Sequence, residues 1–143
     1  MKIGELARKA QCRVETIRYY EQGGLLPKPQ RTAANYRHYG PAHLERLRFI
    51  RNCRALDMTH EEIRALLRML DQPTSDCGAV NQLLDEHIAH VDTRIEELRH
   101  LKGQLVGLRD RCRSERPIEE CGILQGLTDM ETEAKLPRPT HLG

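Results

Sequence analysis

The chain has 143 residues, of which 31% are charged and only 3% are aromatic, with no tryptophan. This composition argues against a large aromatic core, as in a β-sandwich or barrel, and favours one small domain or a small domain with an extended helix. The net charge of +2 hides a division, because residues 1–56 carry 12 Lys and Arg against 4 Asp and Glu, whereas the rest carries 11 against 17. The basic segment is suited to a polyanion such as DNA, with a solvated basic face as the simpler alternative.

No apolar run approaches the roughly 20 residues of a membrane span, and the N-terminal MKIGELARKA lacks the apolar core of a signal peptide. We therefore expect a cytoplasmic protein with no membrane partner. In that reducing compartment, five cysteines are more often metal ligands or reactive thiols than disulfides.

The basic segment predicts a helix-turn-helix followed by a small β-wing. Helices are expected over 3–10 and 14–21, with Gln11 and Cys12 as the tight connection between them. This spacing is typical of a motif whose second helix enters the DNA major groove. The segment GGLLPKPQRTAANYRHYG then combines turn residues with basic and aromatic ones, as expected of a hairpin wing.

Three further helices are predicted. One begins at Pro41, which is favourable in a first helical turn. The next follows Thr59, because Thr-His-Glu-Glu matches a capping box with Glu62 at its third position. The third runs from Gly78 to Cys112 without a proline, and its apolar residues recur every three or four positions, as in a coiled coil. That stripe consists of Leu84, Ile88, Val91, Ile95, Leu98, Leu101, Leu105, Leu108 and Cys112.

The stripe implies a partner for the long helix, because on a lone helix it would stay in contact with water. A second copy of the chain is the expected partner, and a helix folded back on its own domain is the alternative. Asp76 or Ser75 is expected to cap the start of this helix.

Three cysteines are placed at the ends of the long helix. Cys77 and Cys112 are 35 residues apart, and Cys121 follows an eight-residue loop. A helix with a rise of about 1.5 Å per residue keeps the first two roughly 50 Å apart, so they cannot meet within one chain. In an antiparallel dimer, Cys77 of one chain would face Cys112 and Cys121 of the other, giving two equivalent three-thiol sites. Three thiolates select soft ions over Mg²⁺ or Ca²⁺. A Cys112–Cys121 disulfide is the alternative, while Cys12 and Cys53 are expected to be buried structural residues.

The sequence IGELARKAQCRVETIRYYEQGGLLP, followed by NYRHY and RLRFIRNCRALDMTHEEIRALL, resembles the MerR family of transcriptional regulators. The resemblance extends to about residue 127, and DCGAVNQLLDEHIAHV with CGIL is most similar to the cadmium- and lead-sensing branch. With the patterns above, it predicts a mainly α fold in four parts. These are a winged helix-turn-helix DNA-binding domain over 1–70, a dimerisation helix of an antiparallel coiled coil over 76–112, a metal-binding loop with a short helix over 112–127, and a disordered tail over 128–143.

The resemblance implies a homodimer bound to double-stranded promoter DNA whose recognition elements are spaced too far apart for RNA polymerase. Metal binding would make the protein untwist that DNA and so activate heavy-metal resistance genes, affecting the polymerase only through the promoter. By position, the implied DNA-binding residues lie on or beside the second helix, in the wing and in the following helix: Val14, Glu15, Thr16, Arg18, Tyr19, Tyr20, Arg31, Asn35, Tyr36, Arg37 and Arg54.

Cys77, Cys112 and Cys121 match the metal-binding cysteines of this family. The length of the loop favours Pb²⁺, whose lone pair suits three sulfurs on one side of the ion, and Cd²⁺ comes next. Hg²⁺ and Zn²⁺ remain open, although the mercury sensors carry Cys-Pro-Leu-Ile where this chain has Cys-Gly-Ile-Leu.

Two other classes of function compete with a metal-responsive regulator. A small-molecule or thiol redox sensor is one, but only about 30 residues follow the long helix, too few for an ordinary ligand-binding core. An enzyme is not expected, because the CX8C spacing is not CXXC and the sequence places no histidine base beside either cysteine.

Overall fold

The computed structural model describes residues 1–72 and 76–132. It is mainly helical and divides into two compact units, Met1–Leu83 and Leu84–Gly143. Ser75, one of the two expected helix caps, and residues 133–143 of the predicted tail lie outside the described residues.

The predicted helix-turn-helix is confirmed. Helix α1 spans Ile3–Ala10 and helix α2 spans Val14–Gln22, one residue longer than expected. Between them Gln11 adopts a left-handed conformation with φ 54°, which lets its N–H donate to the carbonyl of Arg8 and ends α1 sharply. This short turn places Ile17 against the buried face of α1.

The predicted wing is a two-stranded antiparallel hairpin. Strand β1 is Gln30–Arg31 and strand β2 is Arg37–His38, with Arg31 opposite Arg37 and Gln30 opposite His38. Asn35 turns the chain with φ 65°, a conformation that Asn tolerates better than most residues. The loop is closed by hydrogen bonds of 2.8 Å from Thr32 N to Tyr36 O and from Asn35 N to Thr32 O.

Helices α3 (Pro41–Ala55) and α4 (His60–Asp71) complete the first unit around two clusters of buried side chains. The predicted capping box is confirmed, since Thr59 Oγ1 accepts from Glu62 N at 3.0 Å and Glu62 Oε1 accepts from Thr59 N at 2.9 Å. One cluster joins α1, α2, α3 and the residue after the wing: Leu6, Ala7, Ala10, Ile17, Leu26, Tyr39 and Leu47. The other joins α3 to α4: Leu25, Ile50, Cys53, Met58, Ile63, Leu66 and Leu67.

Helix α5 spans Gly78–Arg109 and ends three residues before the predicted end at Cys112. Asp76, the other expected cap, accepts a hydrogen bond of 2.9 Å from Gly78 N. Seven of the nine residues of the apolar stripe are exposed in the single chain, among them Ile88 at 56% and Leu105 at 59% of full exposure, whereas Leu108 and Cys112 are half-buried.

The chain continues after Cys112 into a 3₁₀ turn at Ile118–Glu120 and helix α6 at Gly122–Asp129. The sequence predicted a short helix within 112–127 and a disordered tail from residue 128. Helix α6 matches the short helix but continues through Thr128 and Asp129, the first two residues of the expected tail. Among the helices in the described part of the chain, none combines the length and apolar composition that crossing a membrane requires.

Candidate nucleic-acid interface and metal-binding cysteines

Helix α2 has one buried and one exposed face. Ile17 and Glu21, one turn apart, are buried, whereas Arg18 and Tyr19 are exposed, Tyr19 by 56%. Of the other predicted DNA-binding residues on this helix, Glu15 is exposed, and Val14, Thr16 and Tyr20 are half-buried. The helix therefore presents a basic and aromatic surface to the outside and buries Ile17 and Glu21 on its inner face.

An open cleft of about 910 Å³ lies between α2 and the wing. Three of the predicted DNA-binding cations, Arg18, Arg31 and Arg37, line it together. Lys2 and Lys28 line the same cleft and were not predicted. Five cations around one open cleft are suited to the phosphates of a nucleic-acid backbone.

The tip of the wing is held in shape by local contacts. Arg31 Nη1 donates to the carbonyl of Asn35 at 3.2 Å, so these two predicted residues contact each other. Tyr36 is 65% exposed, and the ammonium of Lys2 lies 5.8 Å from the centre of its ring. Aromatic and cationic groups therefore lie side by side at the tip.

A buried carboxylate ties α2 to the wing. The hydroxyl of Tyr39 donates to Glu21 Oε1 at 2.5 Å, and Arg37 Nη1 lies 3.4 Å from Glu21 Oε2. Burial raises the pKa of Tyr39, and the Glu21 carboxylate raises it further, so the phenol stays protonated and remains a donor. Sequence reasoning missed Glu21 because a glutamate on a basic helix looks like an exposed charge.

His60 was predicted only as part of the capping-box sequence. It packs against the exposed face of α2, where its Nδ1 lies 3.4 Å from the hydroxyl of Tyr19. Arg54, predicted as a phosphate contact, lies at the end of α3 and acts electrostatically on the same imidazole. In the sequence, His60 is followed by two glutamates, and this pattern does not indicate that His60 contacts Tyr19.

Cys112 and Cys121 interact within the loop that follows α5. The pKa of Cys121 is lowered, first by the backbone N–H groups of Leu124 and Ile123 at the start of α6, and then by the Cys112 side chain and the Arg116 guanidinium. Cys112 Sγ donates to the carbonyl of Ser114 at 3.4 Å. A thiol stabilised as thiolate beside a second thiol fits a soft metal ion in its donor chemistry.

Glycines allow α6 to pack closely against the end of α5. A Cβ atom on Gly122 would lie 2.5 Å from the carbonyl oxygen of Arg111, and one on Gly126 would lie 3.1 Å from Leu108 Cδ2. Real Cβ atoms do not approach a backbone oxygen so closely. Gly122 thus sets the path of the chain immediately after Cys121.

The other three cysteines differ in exposure. Cys77 is exposed and immediately precedes α5. Cys53 is buried and Cys12 is half-buried, and burial raises the pKa of both thiols, opposed at Cys12 by Arg51. Cys53 belongs to a buried cluster of the first unit, as the sequence predicted. Cys12 was also expected to be buried, but it only packs against the other cluster from the edge and stays half-buried.

Comparison with protein-family models gives two matches. Residues 1–70 match the model described as MerR HTH family regulatory protein, and residues 44–108 match the model described as MerR, DNA binding. The curated relatives include an HTH-type transcriptional regulator ZntR homolog from Haemophilus influenzae, 50% identical over 111 residues, which are 78% of this chain and 82% of that protein. They also include the mercuric resistance operon regulatory protein of Bacillus cereus, 37% identical over 126 residues, which are 88% of this chain and 96% of that protein.

Among solved structures, the chain is similar to the transcription regulator PbrR691 from Ralstonia metallidurans CH34, crystallised in complex with lead(II). The two chains are 54% identical, with a TM-score of 0.81, and the match covers 89% of this chain and 98% of that one. The likeness therefore includes the long helix and the cysteine loop as well as the helix-turn-helix.

Proposed function

The chain belongs to the MerR family of metal-responsive transcriptional regulators, and on this basis we propose that it senses a divalent soft metal ion through Cys77, Cys112 and Cys121. In this proposal it acts in the cytoplasm as a homodimer on promoter DNA. It activates heavy-metal resistance genes by distorting that DNA, and affects RNA polymerase only through the promoter.

The cleft between α2 and the wing supports the DNA-binding half of the proposal. Its cations would neutralise backbone phosphates on either side of a groove that α2 enters. The remaining residues assigned to this interface are Val14, Glu15, Thr16, Tyr19, Tyr20, Asn35, Tyr36 and Arg54. Phosphate contacts position the protein on the duplex, and each one releases condensed counterions from the DNA. We therefore expect DNA binding to weaken steeply as the salt concentration rises.

The exposed stripe of α5 supports the homodimer. Seven of its residues, from Leu84 to Leu105, are each at least 36% exposed in the single chain. A second α5 packed against the stripe would remove this apolar surface from water. Because α5 has 32 residues and is therefore about 48 Å long, an antiparallel partner is needed to bring Cys77 to a Cys112–Cys121 pair.

The observation that carries the proposal is the pairing of Cys112 with Cys121, whose pKa is lowered by the first N–H groups of α6. A metal ion bound there would draw thiolates from two chains into one site. Thiolate ligands exclude hard ions, and a site with only three of them suits Pb²⁺, whose lone pair occupies the remaining side. The similarity to a regulator crystallised with lead(II) supports Pb²⁺ as the preferred ion in this proposal. We place Cd²⁺ next.

The first test uses single cysteine variants. We expect Cys77→Ser to bind promoter DNA as the wild type does while losing lead-dependent transcription in a reporter assay. Cys12→Ala is the matched control, because it removes a half-buried thiol outside the proposed site and should respond normally. A normal response of Cys77→Ser would overturn the three-thiol site.

Mixing two variants tests whether the site is shared between chains. Chains with Cys77→Ser are mixed with chains carrying both Cys112→Ser and Cys121→Ser, after unfolding and refolding together. Neither homodimer has a complete site, but each mixed dimer would have one. We expect sulfur-to-metal absorption to return only in the mixture, and its absence there would exclude a site built from two chains.

The alternative ions are mercury and zinc, favoured by the similarity to a mercuric resistance regulator and a ZntR homolog. Competitive titration with Pb²⁺, Cd²⁺, Zn²⁺ and Hg²⁺, read by absorption and promoter activation together, separates them.

A thiol redox sensor is the second candidate function, favoured by the contact between Cys112 and Cys121. It predicts that an oxidant activates the promoter in metal-free medium through a disulfide detectable by mass spectrometry.

A further inference from the structure

A second cationic cluster joins the exposed face of α2 to the start of α4. His60 lies between the two tyrosines of α2, with its Nδ1 3.4 Å from the Tyr19 hydroxyl. The centroids of the imidazole and the Tyr19 ring are 5.4 Å apart. The Tyr20 ring lies edge-on to the imidazole, with 6.0 Å between their centroids. Because Tyr19 is exposed, a duplex lying along α2 would approach His60 as well.

Two arginines, Arg54 and Arg64, act electrostatically on this imidazole, and a hydrogen bond to a backbone carbonyl anchors each of them. Arg54 Nη1 donates to the carbonyl of Met58 at 2.6 Å, and Arg64 Nη2 donates to the carbonyl of Gly23 at 2.8 Å. A guanidinium has five N–H donors, so each anchored arginine keeps donors for a ligand. Holding the guanidinium groups in place before binding reduces the entropy lost when an anion binds.

The surroundings of His60 favour its neutral form. Burial lowers the pKa of His60, and the positive charges of Arg54 and Arg64 lower it further. The remaining side chains facing it from α2 are the phenols of Tyr19 and Tyr20. Of the adjacent carboxylates on α4, Glu61 is exposed and Glu62 accepts from the N–H of Thr59. The cluster is therefore cationic, with a neutral imidazole at its centre.

Resting on the proposed function, we propose that Tyr19, Arg54, His60 and Arg64 bind a phosphate of the DNA backbone, and that His60 takes up a proton from solvent as the phosphate binds. A phosphate between the arginines offsets the charges that keep the imidazole neutral, and it supplies an acceptor for the new N–H. The site thus couples DNA affinity to pH through a residue outside the cleft beside the wing.

The affinity of the full-length protein for DNA as a function of pH tests this inference. The probe is a fluorescein-labelled duplex of mixed sequence, about 30 base pairs long, at a salt concentration of about 50 mM, since backbone contacts do not depend on sequence. Uptake of one proton tightens binding by up to about tenfold per pH unit as the pH falls from about 8 to about 6. We expect His60→Gln to lose the tightening that proton uptake causes, so that its affinity for DNA changes less with pH than that of the wild type.

His100→Gln is the matched control, because His100 is exposed on α5 and its loss should leave the wild-type profile unchanged. A second measurement does not depend on any variant. In the wild type, NMR of the His60 ring should show its pKa rising when the duplex is added. A His60→Gln profile as steep as that of the wild type, or a His60 pKa unmoved by DNA, would overturn the inference.

These outcomes separate the inference from its premise. If the wild type binds no duplex at any pH, the DNA-binding function itself fails. If it binds in a salt-sensitive way but shows no linkage to His60, only the proton-coupled phosphate site fails. Thermal unfolding of His60→Gln establishes that the variant is folded, and the NMR titration of the wild type decides the question if it is not.

Discussion

Tyr39 and Glu21, 18 residues apart in the chain, are joined by a hydrogen bond of 2.5 Å between the phenol hydroxyl and a carboxylate oxygen, both buried. The bond links the end of α2 to the residue that follows the wing. It also fixes the carboxylate that faces Arg37 across the cleft. The geometry of the candidate nucleic-acid interface therefore depends on a pair of residues that lie beneath it.

We expect Tyr39→Phe to lower the free energy of unfolding by about 1.5–3 kcal/mol, the usual value for losing a hydrogen bond to a charged group. The buried carboxylate would then keep only its longer contact to Arg37. Urea denaturation followed by circular dichroism measures the change. Tyr36→Phe is the control, since Tyr36 is 65% exposed and its variant should unfold like the wild type. Equal stabilities of the two variants would show that the buried bond contributes nothing.

Replacing Thr59 by Ala should destabilise the protein by about 1 kcal/mol, because the side-chain cap of α4 is lost. Thr93→Ala makes the same chemical change in the middle of α5, where the hydroxyl only donates to the carbonyl of Ala89. That control should stay within about 0.5 kcal/mol of the wild type in the same denaturation experiment. The prediction is wrong if the two threonine variants lose stability equally.

Gly122→Ala should disturb the cysteine loop, because its new methyl group would meet the carbonyl oxygen of Arg111. An overpacking cost of about 1–3 kcal/mol would weaken the proposed metal site by about five- to 150-fold, and it would speed hydrogen exchange over 118–129. At Gly103 nothing lies within 4 Å of an added Cβ. Gly103→Ala should therefore stabilise α5 by about 0.5–1 kcal/mol and leave metal affinity unchanged. Unaltered metal binding and exchange in Gly122→Ala would contradict the close packing of α6.

The folded protein should lose stability in acid partly through His60. Burial and the two arginines lower the pKa of His60 in the folded state, whereas the unfolded chain binds the proton near the ordinary histidine value of about 6.5. The unfolded state therefore binds more protons as the pH falls through that value, and stability declines until the folded-state pKa is passed. Urea denaturation between pH 7 and pH 5 should show a shallower decline in His60→Leu than in the wild type. In His100→Gln, the free energy of unfolding should decline with pH as it does in the wild type. If the decline is the same in the wild type and both variants, His60 does not contribute to the loss of stability in acid.

Much of the local structure could be predicted from single residues and their spacing. The capping box at Thr59 and Glu62 is a contact between neighbours in sequence, so its pattern was sufficient to place the start of α4. Leu6, Ala7 and Ala10 follow the spacing of one helix face, and they are the buried residues of α1. The long helix was predicted to end at Cys112, three residues beyond its actual end at Arg109. The sequence did not reveal this earlier end, because Cys112 continues the apolar spacing of the helix.

What the sequence determined by itself is the set of helices, the basic N-terminal segment and the position of three cysteines at the ends of α5, since these follow from periodicity, local capping and charge. Only the tertiary structure decided that Glu21 is buried against Tyr39, that His60 lies beside Tyr19, and that Gly122 packs on Arg111. These pairs are 18, 41 and 11 residues apart, and each arises where two elements pack together. No local sequence pattern predicts these contacts, because the path of the whole intervening chain determines which side chains meet.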